Sequence, residues 1–148
     1  MTKAIVIGSD HAAFLMKEFV KELLSSKGYS VLDVGPFNED RCDYPDYAVA
    51  VSKTVVEKNI PGILLCGSGI GVSIVANRFC GVRAALCRSA YDAEMSRKHN
   101  DANVLCLGAR VNSEAEIKEI VESWLSSEFE GGRHSERLAI FAKLGEKA

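Results

Sequence analysis

Short β-branched runs alternate with helically spaced apolar positions along the whole of this chain. Residues 4–8 form an apolar run rich in isoleucine and valine, the pattern of a buried strand. Over 12–27 the apolar residues Leu15, Phe19 and Leu23 recur every fourth position, which predicts a helix, and Gly28 supplies its stop. Residues 30–34 read as a second strand. Asp43-Tyr44-Pro45 precede a helix running to about Lys58, with Ala48, Val51 and Val55 on one face. Pro61 and Gly62 punctuate before a strand at 63–65. A helix at 70–79, a strand at 82–87, a helix at 90–99 and a strand at 104–107 follow. Ser113 and Glu116 stand at capping-box spacing for a helix reaching about Ser126. A Gly131-Gly132 break leads to a last amphipathic helix through Leu138, Ile140, Phe141 and Leu144.

Five strands alternating with helices predict an α/β fold: a Rossmann-like three-layer sandwich. Its five-stranded parallel sheet carries helices on both faces, with a C-terminal helix added. A single domain over 1–148 is expected at this length. Ligands of such sheets bind beyond the carboxyl ends of the strands. Three motifs fall there: Ser9-Asp10-His11, Cys66-Gly67-Ser68-Gly69-Ile70-Gly71 and Gly108-Ala109-Arg110.

Composition narrows the function classes. A net charge of −2 argues against general nucleic-acid binding, which needs a basic surface. No apolar run reaches membrane-spanning length, and Asp10 interrupts the N-terminal apolar run too early for a signal peptide. The five cysteines are odd in number and include no C-x-x-C pair, which fits reduced thiols in a cytoplasmic protein. They and the three histidines show no zinc-ligand spacing, so no metal is expected.

The glycine loop carries the strongest chemical signal. An apolar run ends at a thiol, and a tight turn and a helix start follow. Amides exposed there favour negative charge, on a bound anion or on the Cys66 thiolate. The loop lacks the Lys-Ser/Thr of a Walker motif and the spaced third glycine of a dinucleotide fingerprint. A plain tight turn beside an inert buried thiol is the competing reading. Asp10 could bond a substrate hydroxyl and His11 a phosphate, or Ser9 or Asp10 simply caps the helix. His99 ends a helix, where the dipole favours histidine, and histidine also suits proton transfer. Arg133 and Arg137 share one helix face and could clamp a phosphate with Arg110, or form a solvated basic face. Tyr44 could wall a pocket. His134 reads as surface, and Cys42, Cys80, Cys87 and Cys106 read as structural.

Taken in order, Asp10-His11-Ala12, Asp43-Tyr44-Pro45, the loop 66–71, His99-Asn100-Asp101-Ala102-Asn103, Gly108-Ala109-Arg110 and Glu130-Gly131-Gly132-Arg133-His134 resemble the type B ribose-5-phosphate isomerases. The broader family includes galactose-6-phosphate isomerase subunits. The resemblance implies an aldose–ketose isomerase of the pentose phosphate pathway that works without a cofactor. It implies Cys66 as the base between C1 and C2, and His99, assisted by Asp10, as the group that opens the furanose ring. Gly67, Ser68, Gly69, Ile70 and Gly71 match the loop that holds the enediolate. Asn100 matches a substrate-lining residue, and His11, Arg110, Arg133 and Arg137 match the phosphate-binding group. It also implies a homodimer with sites between subunits, pairing into tetramers being left open. In one branch a glutamate after the loop is the base; Val72 stands there, leaving Cys66. Ser68 replaces a frequent threonine and Ala13 a frequent glycine. A hexose phosphate substrate is the nearest rival. A nucleotide- or phosphate-binding module would not need Cys66 and His99. A thiol redox protein would want a resolving cysteine that the sequence does not place near Cys66.

Overall fold

The computed structural model describes residues 3–148. Its strands are β1 (Ala4–Ser9), β2 (Ser30–Asp33), β3 (Gly62–Cys66), β4 (Ala84–Leu86) and β5 (Val104–Gly108). Its helices are α1 (Phe14–Ser26), α2 (Tyr44–Lys58), α3 (Ile70–Ala76), α4 (Ala90–Lys98), α5 (Glu114–Ser126) and α6 (Arg133–Phe141). All five strands are parallel, in the order β2-β1-β3-β5-β4.

The three central strands are apolar because both of their faces are covered. Ile5, Ile7, Ile63, Leu65, Leu105 and Leu107 alternate onto one face, where Val20, Leu24, Ile117, Ile120 and Trp124 of α1 and α5 meet them. Val6, Leu64, Cys66, Val104 and Cys106 point the other way, onto Ala48, Val51 and Val55 of α2 and Val72 and Ala76 of α3. The predicted three-layer arrangement is the one observed. The chain adds β2 on one side of β1 and β3 on the other, so the strand order switches between β1 and β3, and the crevice of a doubly wound sheet opens beyond the carboxyl ends of such a pair.

Helix ends follow local chemistry. Gly28 takes φ +88°, and the amides of Gly28 and Tyr29 donate to the carbonyls of Ser25 and Leu24, closing α1 in a Schellman motif. Ser113 and Glu116 form the expected capping box.

Four expectations change. A 3-10 turn over His11–Ala13 precedes α1, because the Asp10 carboxylate accepts from the Ala13 amide at 3.1 Å. Leu15 does not face the core and is 66% exposed; Lys17 is fully buried instead, its ammonium donating to Asp33 and to the Pro36 carbonyl at 2.7 Å. The predicted helix at 70–79 stops at Ala76, where the Asn77 side chain bonds both the amide and the carbonyl of Ala84 and so leads the chain into β4. The last helix ends at Phe141, short of Leu144.

Candidate functional site

Cys66 is the last residue of β3 and 5% exposed. The Gly69 amide turns back and donates to its Sγ at 3.1 Å. That turn needs φ +77° at Gly69, and a Cβ there would come within 2.7 Å of Leu86 and 2.8 Å of the Leu107 backbone. The Ser68 hydroxyl accepts from the Ile70 amide at the start of α3. Two further bonds fix the loop to the end of β5: the amides of Ala109 and Arg110 donate to the carbonyls of Cys66 and Gly67, each at 2.9 Å. The Arg110 side chain lies over Gly67, and the Tyr44 ring lies so close to Gly71 that a Cβ there would clash at 2.7 Å. Asp10 joins the same edge, its amide donating to the Leu65 carbonyl. The Nδ1 of His11 sits 3.2 Å from the amide and carbonyl of Cys42. Asp10, His11, the loop 66–71 and Arg110 therefore gather at one end of the sheet.

The thiols are not equivalent. Burial pushes Cys87 up to about 11, with the Ser96 hydroxyl opposing and Asp92 adding to the rise. Burial also pushes Cys106 far above the ordinary thiol range. Neither receives a backbone amide as Cys66 does.

His99 lies elsewhere. In a parallel sheet the helices run back against the strands, so α4 begins at the carboxyl end and delivers its C-cap, His99, to the amino end. The carbonyl of Asn103, shortly after it, accepts a hydrogen bond from the amide of Gly62, the first residue of β3. His99 and Asn100 therefore lie at the opposite end of the sheet from Cys66, and the five residues of β3 between the two ends span about 17 Å at 3.3 Å per residue. Arg133 and Arg137 go with His99, since α6 carries them and also His134, whose ring stacks on His99 at 4.4 Å and 16°. One chain thus does not assemble the phosphate clamp of Arg110 with Arg133 and Arg137. It holds His11 and Arg110 at one end of the sheet and the other two arginines at the opposite end.

Two of these placements escape sequence reasoning. His134 is not surface but 8% exposed, and its Nε2 lies 3.6 Å from Glu130 Oε1. Burial, the neighbouring His99 and the Arg133 charge hold it below the ordinary histidine range, while Glu130 works the other way. Glu130 also reaches the Nε2 of His99 at 3.5 Å. Among the described residues these three form a group with one ligand atom each within 4.8 Å of the others. Ligand spacing could not reveal it, because the fold brings the two histidines together from distant segments. Arg88 is the second: its Nη1 is buried without a hydrogen-bond partner, packed against Gly108 beside the Ser68 carbonyl. No motif marked it.

A cavity of about 610 Å³ opens between α6 and the exposed edge of β4, lined by Phe79, Ala84, Leu138, Phe141 and Leu144 and reaching Asn100. No helix among the described residues is long and apolar enough to cross a membrane.

Comparison with known proteins agrees over nearly the full length. The family model described as Ribose/Galactose Isomerase matches residues 5–141. Ribose-5-phosphate isomerase B of Escherichia coli is 41% identical over 146 residues, 98% of each chain. The solved ribose-5-phosphate isomerase B of Clostridium thermocellum superposes with a TM-score of 0.92 at 43% identity, covering 94% of this chain and 95% of that one. The enzyme of Mycoplasma genitalium, solved with bound ribulose 5-phosphate, gives 0.92 at 40% identity, over 96% and 95%.

Proposed function

The chain belongs to the ribose/galactose isomerase family, among the type B ribose-5-phosphate isomerases, and from that premise we propose that it interconverts ribose 5-phosphate and ribulose 5-phosphate at a site built from two copies of the chain. The observation that carries the chemistry is the Gly69 amide aimed at Cys66 Sγ. That contact fixes the sulfur beside the amides of the glycine loop, where a base and the anion it creates would lie together. The observation that carries the two-copy reading is the placement of Cys66 and His99 at opposite ends of the sheet within one chain.

Substrate binds with its phosphate between His11 and Arg110 of one copy and Arg133 and Arg137 of the other. His99 of the second copy gives a proton to the ring oxygen while Asp10 takes the proton of the C1 hydroxyl, and the open aldehyde forms. The Cys66 thiolate takes the C2 proton. The charge on the resulting enediolate falls on the amides of the loop 67–71 and the Ser68 hydroxyl, while Asn100 lines the sugar. The proton returns to C1 as the O2 hydroxyl proton passes to O1, and the ketose leaves. A thiol is a far stronger acid than the carbon it deprotonates, so the loop must supply much of the barrier lowering. One such donor is worth about 3–4 kcal/mol.

A second copy is supported by what one chain leaves uncovered. Ile140 and Leu144 are 84% and 70% exposed beside the β4 cavity, and Ile70 and Ile74 are exposed on α3 next to the loop. Apolar side chains gathered on two faces favour burial by another protein surface. The direct test of the chemistry is the Cys66→Ala enzyme. Sugar phosphate binding with no turnover supports the assignment, and near-normal turnover removes Cys66 as the base. A panel that includes allose 6-phosphate and galactose 6-phosphate separates the pentose reading from its hexose rival.

A further inference from the structure

We propose that His99, Glu130 and His134 form a site for a divalent transition-metal ion, and that an ion bound there halts isomerisation. The binding half stands on geometry alone; the inhibitory half rests on the role proposed above for His99.

The Nε2 atoms of His99 and His134 lie 3.5 and 3.6 Å from Oε1 of Glu130. Those separations are long for hydrogen bonds. They are close to the spacing of two ligands on one tetrahedral ion, about 3.3–3.6 Å when each bond is 2.0–2.2 Å. Two imidazole nitrogens with one carboxylate oxygen suit zinc, cobalt or nickel rather than calcium or magnesium. Three ligands leave a fourth position for water.

The backbones carrying the ligands are fixed. The His99 amide donates to the Met95 carbonyl at 2.9 Å, the Glu130 amide to Lys98 at 3.0 Å, and the His134 amide to Gly131 at 3.2 Å. The rings lie only 16° from parallel, so one must turn before both nitrogens can face the same ion. His99 is the one free to do so, since its side chain is 40% exposed against 10% for His134. Turning His99 into the metal withdraws its nitrogen from the substrate, which is why occupancy stops catalysis. Arg133 and Arg137 oppose added positive charge, and Glu130 offsets part of it. The balance suits a reversible inhibitor and not a permanently held ion.

Cobalt(II) titration followed by visible absorption, with isomerase activity read in parallel, tests both halves. The expected result is tetrahedral ligand-field bands that saturate and are displaced by zinc. Activity should fall as they grow and return with a chelator. Glu130→Gln should weaken cobalt binding by at least about tenfold. Glu130 is exposed, so that variant is expected to fold even where His134→Gln does not, and circular dichroism checks both. Cys66→Ser should bind cobalt as the parent does. Absence of tetrahedral bands overturns the site. So do bands indifferent to Glu130→Gln, or a thiolate charge-transfer band that vanishes in Cys66→Ser, which assigns the ion to the thiol. Binding as expected with activity unchanged overturns the inhibition and counts against His99 as the ring-opening group, while leaving the Cys66 assignment intact.

Discussion

At the carboxyl end of the sheet, Asp10, Cys66 and Arg110 each stand at or just after the end of a strand, and each has its backbone bonded to a neighbouring strand or loop. At the amino end, His99, Arg133 and Arg137 sit on helix termini or an outer helix face, and α6 leaves Ile140 exposed to solvent. The loop at the first region is held in place by the chain that carries it, although Ile70 and Ile74 beside it stay exposed. The second presents charged and apolar groups with little of the same chain covering them. On the proposed reading the difference has a functional meaning. Proton transfer from carbon needs donors fixed in advance, and the buried loop gives that. Ring opening and phosphate capture are contributed by the surface that another copy brings.

The largest expected effect breaks the first region at its centre. Cys66→Ala should lower kcat by about 10⁴-fold, the upper range for loss of a general base, while the sugar phosphate still binds. Rates from stopped assays with binding by calorimetry check this.

Next comes the packing beside that region. Lys17 is buried against Asp33 and the Pro36 carbonyl, so Lys17→Met should lower stability by about 3 kcal/mol in denaturant unfolding. The low end of the range applies because Lys21 still reaches Asp33 at 2.8 Å. The same contact has a pH signature. Burial raises the Asp33 pKa, but the hydrogen bonds from Lys17, Lys21 and the Gly35 amide outweigh it and hold the carboxyl below its ordinary value. A depressed carboxylate stabilises the fold above its unfolded pKa, and that contribution disappears as pH falls through the folded value. Stability of Asp33→Asn should therefore decline less than that of the parent over this acid range.

A smaller effect is expected at the amino end. His99→Asn should cost about 10²-fold on the cyclic sugar phosphate and little on an acyclic substrate. Equal losses on both would take away its ring-opening role. Smallest is Arg137→Ala, which should raise KM about tenfold and leave kcat nearly unchanged, as expected for loss of a charge-assisted contact to phosphate. An unchanged KM removes it from the phosphate site.

Much of this molecule is legible in its sequence, for identifiable reasons. The central strands are continuous apolar runs because both of their faces are covered, and the capping box of α5 declares itself by spacing. The motifs after β1, β3 and β5 fall where the fold rule puts them. The burial of Lys17 is invisible to periodicity, which ranks residues by polarity, and a lysine satisfied by Asp33 and a carbonyl breaks that ranking. His134 gives no such signal, because its stacking on His99 joins segments far apart in sequence. The separation of Cys66 from His99 could have been read in advance. In an alternating parallel fold a residue ending a helix and one ending a strand lie at opposite ends of the sheet.

The two-copy site is tested most directly by complementation. Cys66→Ala and His99→Asn chains, each reduced by about 10²-fold or more on the cyclic substrate, are co-expressed with different tags and the mixed species is purified through both. If Cys66 of one copy works with His99 of another, each hybrid dimer holds one intact site and one doubly altered site. It should recover about half of wild-type turnover per dimer. A mixed species as inactive as its parents, or a wild-type enzyme fully active as a monomer, would contradict the account.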